Sequence, residues 1–134
     1  MKAPLKRVHL IVGFVALVIF PLTGAYMDHY LAYDFAASDR FRFSIRANHI
    51  YILLSSLIHI SLGSYLRMIE KPRWANAQAI ASLLLVASTV LVIAAFFVES
   101  KTELDRPVSL LAMILALAGT LLHSLIATRE AGIK

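Results

Sequence analysis

Residues 74–98 read WANAQAIASLLLVASTVLVIAAFFV, twenty-five positions without one Asp, Glu, Lys or Arg. A bilayer's hydrocarbon core is about 30 Å thick and a helix rises about 1.5 Å per residue, so roughly 20 apolar residues cross it. Three more charge-free runs of that length flank this one: Val8–Met27 (20 residues), Ala47–Leu66 (20) and Pro107–Thr128 (22). Charges bracket each run. The pattern predicts four spans, at 8–27, 47–66, 74–98 and 107–128, within a single domain covering 1–134. The expected fold class is all-α, a transmembrane up-down-up-down four-helix bundle.

The totals agree. The chain is 60% hydrophobic with a mean hydropathy of +0.77, against about 45–50% apolar in an ordinary soluble domain. The short connections leave no space for a soluble catalytic domain. There is no cysteine, which excludes disulfides, thiolate metal sites, iron–sulfur clusters and covalently attached haem. A metal or cofactor here must be held by His, Met or oxygen.

The net charge of +5 is distributed for orientation and not for nucleic acid. With the N-terminus inside, the inner segments hold eight basic residues against Glu70 and Glu130, and the outer segments hold five against six acids. Basic residues in short loops stay on the cytoplasmic side, so both termini are expected there, in a bacterial-type inner membrane, touching anionic lipid. Lys2–Arg7 and the apolar run after it are read as an anchor. The run is too long for a signal-peptide core, and no small-x-small cleavage site follows.

Each span has a readable face. In the first, His9, Gly13, Ala16, Phe20 and Met27 share one stripe, and Pro21 is expected to kink the helix. In the second, Asn48, His49, Ser55, Ser56, His59 and Gly63 share an arc of about 120°, which must turn toward the interior because lipid solvates none of them. The third, with no His, Met or charge, reads as scaffold along Ala77, Ala81, Ser88 and Ala95. The fourth starts at Asp105-Arg106-Pro107, a good helix start. It then runs Ser109, Ala112, Ala116, Gly119, Thr120, His123 and Ala127 on one face. The segment Asp28–Ile45, where aromatics alternate with charges, reads as a headgroup-level loop with a short interfacial helix. Its His29, Asp28 and Asp34 are read as a wet anchoring group before a metal site.

The only strongly polar, chemistry-bearing groups in the spans are His9, His49, His59 and His123. Counted from Arg7, Arg67 and Arg129, the depths of His9, His123 and His59 are about 3, 9 and 12 Å, and His49 lies near the opposite surface. Three readings stand side by side. Two inner histidines ligate a b-type haem edge-on between helices, and depth pairs His59 with His123. Alternatively, the histidines hold copper or zinc, or relay protons. In the third reading each histidine bonds a serine, tyrosine or carbonyl across the bundle, and the chain is an accessory subunit.

The layout resembles the bacterial four-helix b-type membrane cytochromes, the group of hydrogenase cytochrome subunits and small quinone-linked cytochromes. The matching places are Arg7-Val8-His9 at the start of the first span, Asn48-His49 at the outer start of the second, and Leu121-Leu122-His123-Ser124 in the fourth. The resemblance implies haem b held by His9 and His123, and electron transfer with a quinone or another membrane subunit. In that group a further fourth-span histidine serves an outer haem together with the second-span one, and Ser109 stands in its place. The expectation is a haem-binding electron-transfer protein using His123 with His59 or His9. Its alternative is a non-catalytic accessory or assembly subunit whose apolar faces dock to other subunits or to a second copy.

Overall fold

The computed structural model describes residues 4–31, 39–99 and 106–131. These form helices α1 (Pro4–Tyr26), α2 (Asp39–Tyr65), α3 (Pro72–Val98) and α4 (Pro107–Ala131), with a π-helical turn, Met27–Leu31, continuing α1. No strand occurs among the described residues. α1 runs unbroken through Pro21, and prolines open α3 and α4, where a missing N–H leaves no bond unmade.

α2 begins at Asp39, inside the segment expected to be a loop. Burial explains the difference. Phe41 and Ile45, one turn apart, pack into an apolar core with Ala16, Ile52, Val92, Phe96 and Ala112. Asp39 in the first turn suits the helix N-terminus. Asp34 lies outside the described residues, so the grouping of His29, Asp28 and Asp34 falls outside them too.

Three helices among the described residues are long and apolar enough to cross a membrane: Leu5–His29, Pro72–Val98 and Pro107–Arg129. α2 is not one of them, against the expectation of four. Its first turns carry Arg40, Arg42 and Arg46, and its inward face carries the polar arc. That arc is oriented as expected. Asn48, Ser55, Ser56 and His59 are buried, whereas Ser61 and Ser64, outside the arc, are exposed.

Paired contacts show how neighbouring helices run. The start of α1 meets the end of α2 at His9–His59, and its end meets the start of α2 at Thr23–His49. Gln78 near the start of α3 reaches the Arg67 carbonyl just past α2. Ser88 of α3 reaches the Ala112 carbonyl of α4. The two contacts between α1 and α2 set that pair antiparallel. α1 and α2 come closest at two glycines. A Cβ on Gly13 would lie 2.9 Å from the Ile60 backbone N, and one on Gly63 would lie 2.9 Å from that of Leu10. This proximity brings His9 and His59 together. The apolar core fills the half of the molecule where α2 begins. His9, His59 and His123 gather in the other half.

Candidate functional site

His9, His59 and His123 converge from α1, α2 and α4 onto α3. His9 is 0% exposed, His59 1% and His123 9%. The shallow depth counted for His9 suggested a place near the interface, but the helices close over it completely. The direct contact is between His9 and His59, whose Nδ1 atoms lie 2.7 Å apart. His123 joins through Ser82: the Ser82 Oγ is 2.9 Å from His9 Nε2 and 3.2 Å from His123 Nε2. On the far side, His59 Nε2 meets Thr89 Oγ1 at 2.9 Å and the Leu85 carbonyl at 3.3 Å.

With all three rings neutral, one proton assignment satisfies every contact except that of the Ser82 hydroxyl with the Gln78 carbonyl. The Thr89 hydroxyl donates to the Leu85 carbonyl, so His59 Nε2–H must donate to Thr89 Oγ1. His59 Nδ1 is then an acceptor, and His9 Nδ1–H donates to it. His9 Nε2 therefore needs a donor, and the Ser82 hydroxyl supplies it only by giving up its bond to the Gln78 carbonyl. His123 Nε2–H in turn donates to Ser82 Oγ. The tautomers follow from the partners. All donations run one way, from His123 through Ser82, His9, His59 and Thr89 to the Leu85 carbonyl. A carbonyl only accepts, so this chain of donations ends at Leu85 inside the protein. Among the described residues no buried side-chain nitrogen or oxygen lacks a partner.

The bonding also tests the fit of haem. A metal–imidazole bond is about 2 Å, so two nitrogens on opposite sides of one iron stand about 4 Å apart with the macrocycle between them. His9 and His59 touch each other directly. His9 and His123, with ring centroids 6.1 Å apart, both aim Nε2 at one point, which the Ser82 hydroxyl fills. Ser82 and Leu85 are each 2% exposed. As packed, the Ser82 hydroxyl stands between His9 and His123, and His123 also lines an open groove beside α4. No group of three or more His, Cys, Asp or Glu is arranged for a metal ion among the described residues.

His49 stands apart. Its Nδ1 meets Thr23 Oγ1 at 2.9 Å, and its ring stacks on Phe20 with centroids 4.1 Å apart. Ser109, paired with it in the sequence-based resemblance to the membrane cytochromes, bonds elsewhere. Ser109 Oγ lies 2.8 Å from Asn48 Oδ1. It belongs to a second polar cluster that ties the α3–α4 connection to α2. Glu99 accepts from the Ser109 backbone N–H at 2.8 Å, from Asn48 Nδ2 at 3.0 Å and from Arg106 Nε at 3.3 Å. Arg106 also donates to Asn48 Oδ1. Burial alone would raise the Glu99 carboxyl, but hydrogen bonds from Ser109, Asn48 and Arg106 outweigh it and hold the group below its ordinary range.

Sequence reasoning missed the role of α3. Read as scaffold, it supplies the junctions: Gln78, Ser82 and Thr89 are all buried, at 3%, 2% and 2% exposure. Their spacing of four and then seven residues puts them on one face, the signal that was there to find. No family model, curated protein or solved structure matches this chain.

Proposed function

We propose that the chain is an integral membrane protein whose four helices form an up-down-up-down bundle with both ends on the cytoplasmic side, and that it serves as a non-catalytic accessory or assembly subunit of a larger membrane complex. α2 crosses with the others because its polar face is turned inward against them. The observation that carries the reading is the closed bonding of His9, His59 and His123 to Ser82 and Thr89. Each imidazole ties one helix to another, as histidines in a structural role do. The outer faces, with residues such as Ile11, Leu22, Leu83 and Leu117 more than 60% exposed, suit lipid and neighbouring subunits.

The electron-transfer reading, with haem b and a quinone, keeps one observation in its favour. The Nε2 atoms of His9 and His123, the pair implied by the cytochrome resemblance, converge on a common point. Haem there would require Ser82 and its helix to withdraw.

One preparation tests both. The protein purified from its own membranes is expected to be colourless in the Soret region before and after dithionite. On blue-native gels it is expected in a band well above its 14.8 kDa mass. Deleting the chain should lower the amount of that complex without altering turnover per remaining complex. A reducible Soret band lost in His123→Ala would reject the accessory reading and establish the haem one.

A further inference from the structure

At the histidine end, α2 and α4 stand apart over α3, and a half-open groove of about 860 Å³ runs between them. Its walls are mostly apolar, with Leu57, Leu62, Leu85 and Ile126 among them. Leu57 is 51% exposed and Tyr65 85%, so the groove opens sideways onto whatever surrounds the bundle. Arg67 is among the residues that line it. Ser61 and Ser124 also line the groove. Counted along the helices, they lie six and five residues from Arg67 and Arg129, so both sit about 8–9 Å below the plane of the arginines.

The groove therefore presents three layers: a cation at its end, hydroxyls one step deeper, and an apolar trough beyond. A glycerophospholipid has the same order, with phosphate, ester oxygens and acyl chain. Arg67, in the lining of the groove, sets the sign of the headgroup. We propose that this groove is a binding site for an anionic phospholipid of the adjoining leaflet. The phosphate lies at Arg67, the esters face Ser61 and Ser124, and one acyl chain lies along Leu57, Ile58 and Leu85. This rests on the membrane reading above, but not on any role for the histidines.

The test is reconstitution into nanodiscs of equal phosphatidylglycerol and phosphatidylcholine, followed by native mass spectrometry of the lipids retained on the protein. Incorporation itself reports the membrane reading, and failure to incorporate sinks that premise. In incorporated protein, retained phosphatidylglycerol should exceed phosphatidylcholine about fivefold, the weight of one arginine near an anionic surface. Arg67→Gln should erase the preference and Arg67→Lys keep it. Arg73→Gln should also keep it, because Arg73 lies over the Trp74 ring at 5.9 Å and not in the groove. Thr120→Trp, on the groove wall, should lower retention of both lipids. Equal retention of the two lipids, equal losses in Arg67→Gln and Arg73→Gln, or a second copy retained in place of lipid would each overturn the proposal.

Discussion

The Nδ1 atoms of His9 and His59 lie 2.7 Å apart, one on α1 and one on α2. Two neutral imidazoles can meet this way only if one carries its proton on Nδ1 and the other on Nε2. The Leu85 carbonyl, which can only accept, decides which is which. His9 is the Nδ1–H tautomer, and His59 and His123 are Nε2–H tautomers. Nitrogen-15 NMR of the protein in bilayers should show one protonated nitrogen per ring at those positions. A spectrum with His59 protonated on Nδ1 would break the assignment.

The same contact has an energetic signature. His59→Ala strands the His9 donor in a buried site and should cost about 1–3 kcal/mol. Replacing both residues, His9→Leu with His59→Leu, removes donor and acceptor together and should cost less than the sum of the two single changes. Interhelical bonds in bilayers average about 0.6 kcal/mol and reach about 1.7, so the coupling read from thermal unfolding in detergent should fall in that range. Strict additivity would show that the rings do not depend on each other.

Ser82 is the junction of three helices, because its hydroxyl lies within 3.2 Å of both His9 and His123. Ser82→Ala leaves two imidazole nitrogens without partners and should destabilise the fold by about 1–3 kcal/mol. It also separates the readings of the site. Where the histidines are structural ties, the variant is simply less stable. Where they hold haem, removing the hydroxyl clears the space between His9 and His123, and haem retention should rise.

Why Ser82 was hard to find in the sequence is physical. A serine or threonine inside a helix can donate to its own carbonyl four residues back, and both Ser82 and Thr89 have such contacts, with Gln78 and Leu85. A hydroxyl with a local acceptor gives no sign that it also serves an imidazole on another helix. The polar arc of α2 was legible because lipid offers Asn48 and His59 no alternative. The fourth-helix start at Pro107 was legible from its proline. The acid that serves it was not, because Glu99 comes from the end of α3 and reaches the Ser109 N–H through the fold. The extra turns of α2 were obscured because charge alternating with aromatics resembles an interfacial loop until Phe41 and Ile45 are seen to be buried.

The close approach of α1 and α2 makes two glycines irreplaceable and a third tolerant. In Gly13→Ala and Gly63→Ala the new Cβ meets backbone nitrogen at 2.9 Å, which a side-chain rotation cannot relieve. Forced apart, the helices also separate His9 from His59. Each change should cost about 1–3 kcal/mol as overpacking, and more where the imidazole contact is lost. In Gly24→Ala the nearest atom is His49 Cε1 at 3.3 Å, on a side chain that can shift, so that variant should unfold near the wild-type temperature. Equal behaviour of the three would show that this packing is looser than the backbone distances imply.

Glu99 gives the fold an acid limit. Its carboxylate accepts from the Ser109 N–H and from Arg106 and Asn48, and these bonds hold it below its ordinary value of about 4.5 although burial pushes the other way. A group whose folded pKa is depressed contributes stability that is complete above its unfolded pKa and is lost as pH falls through the folded one. The wild type should therefore hold a steady unfolding temperature down to about pH 5 and lose it progressively below, as protons compete for the carboxylate. Glu99→Gln keeps the shape but loses the charge that strengthens three of the bonds, so it should be less stable at neutral pH by about 1–2 kcal/mol. Its unfolding temperature should fall less steeply over the same acid range. The two curves converge toward low pH if Glu99 carries this dependence. Curves that stay parallel would assign the acid lability to other groups and leave the cluster of Asn48, Glu99, Arg106 and Ser109 as a neutral tie.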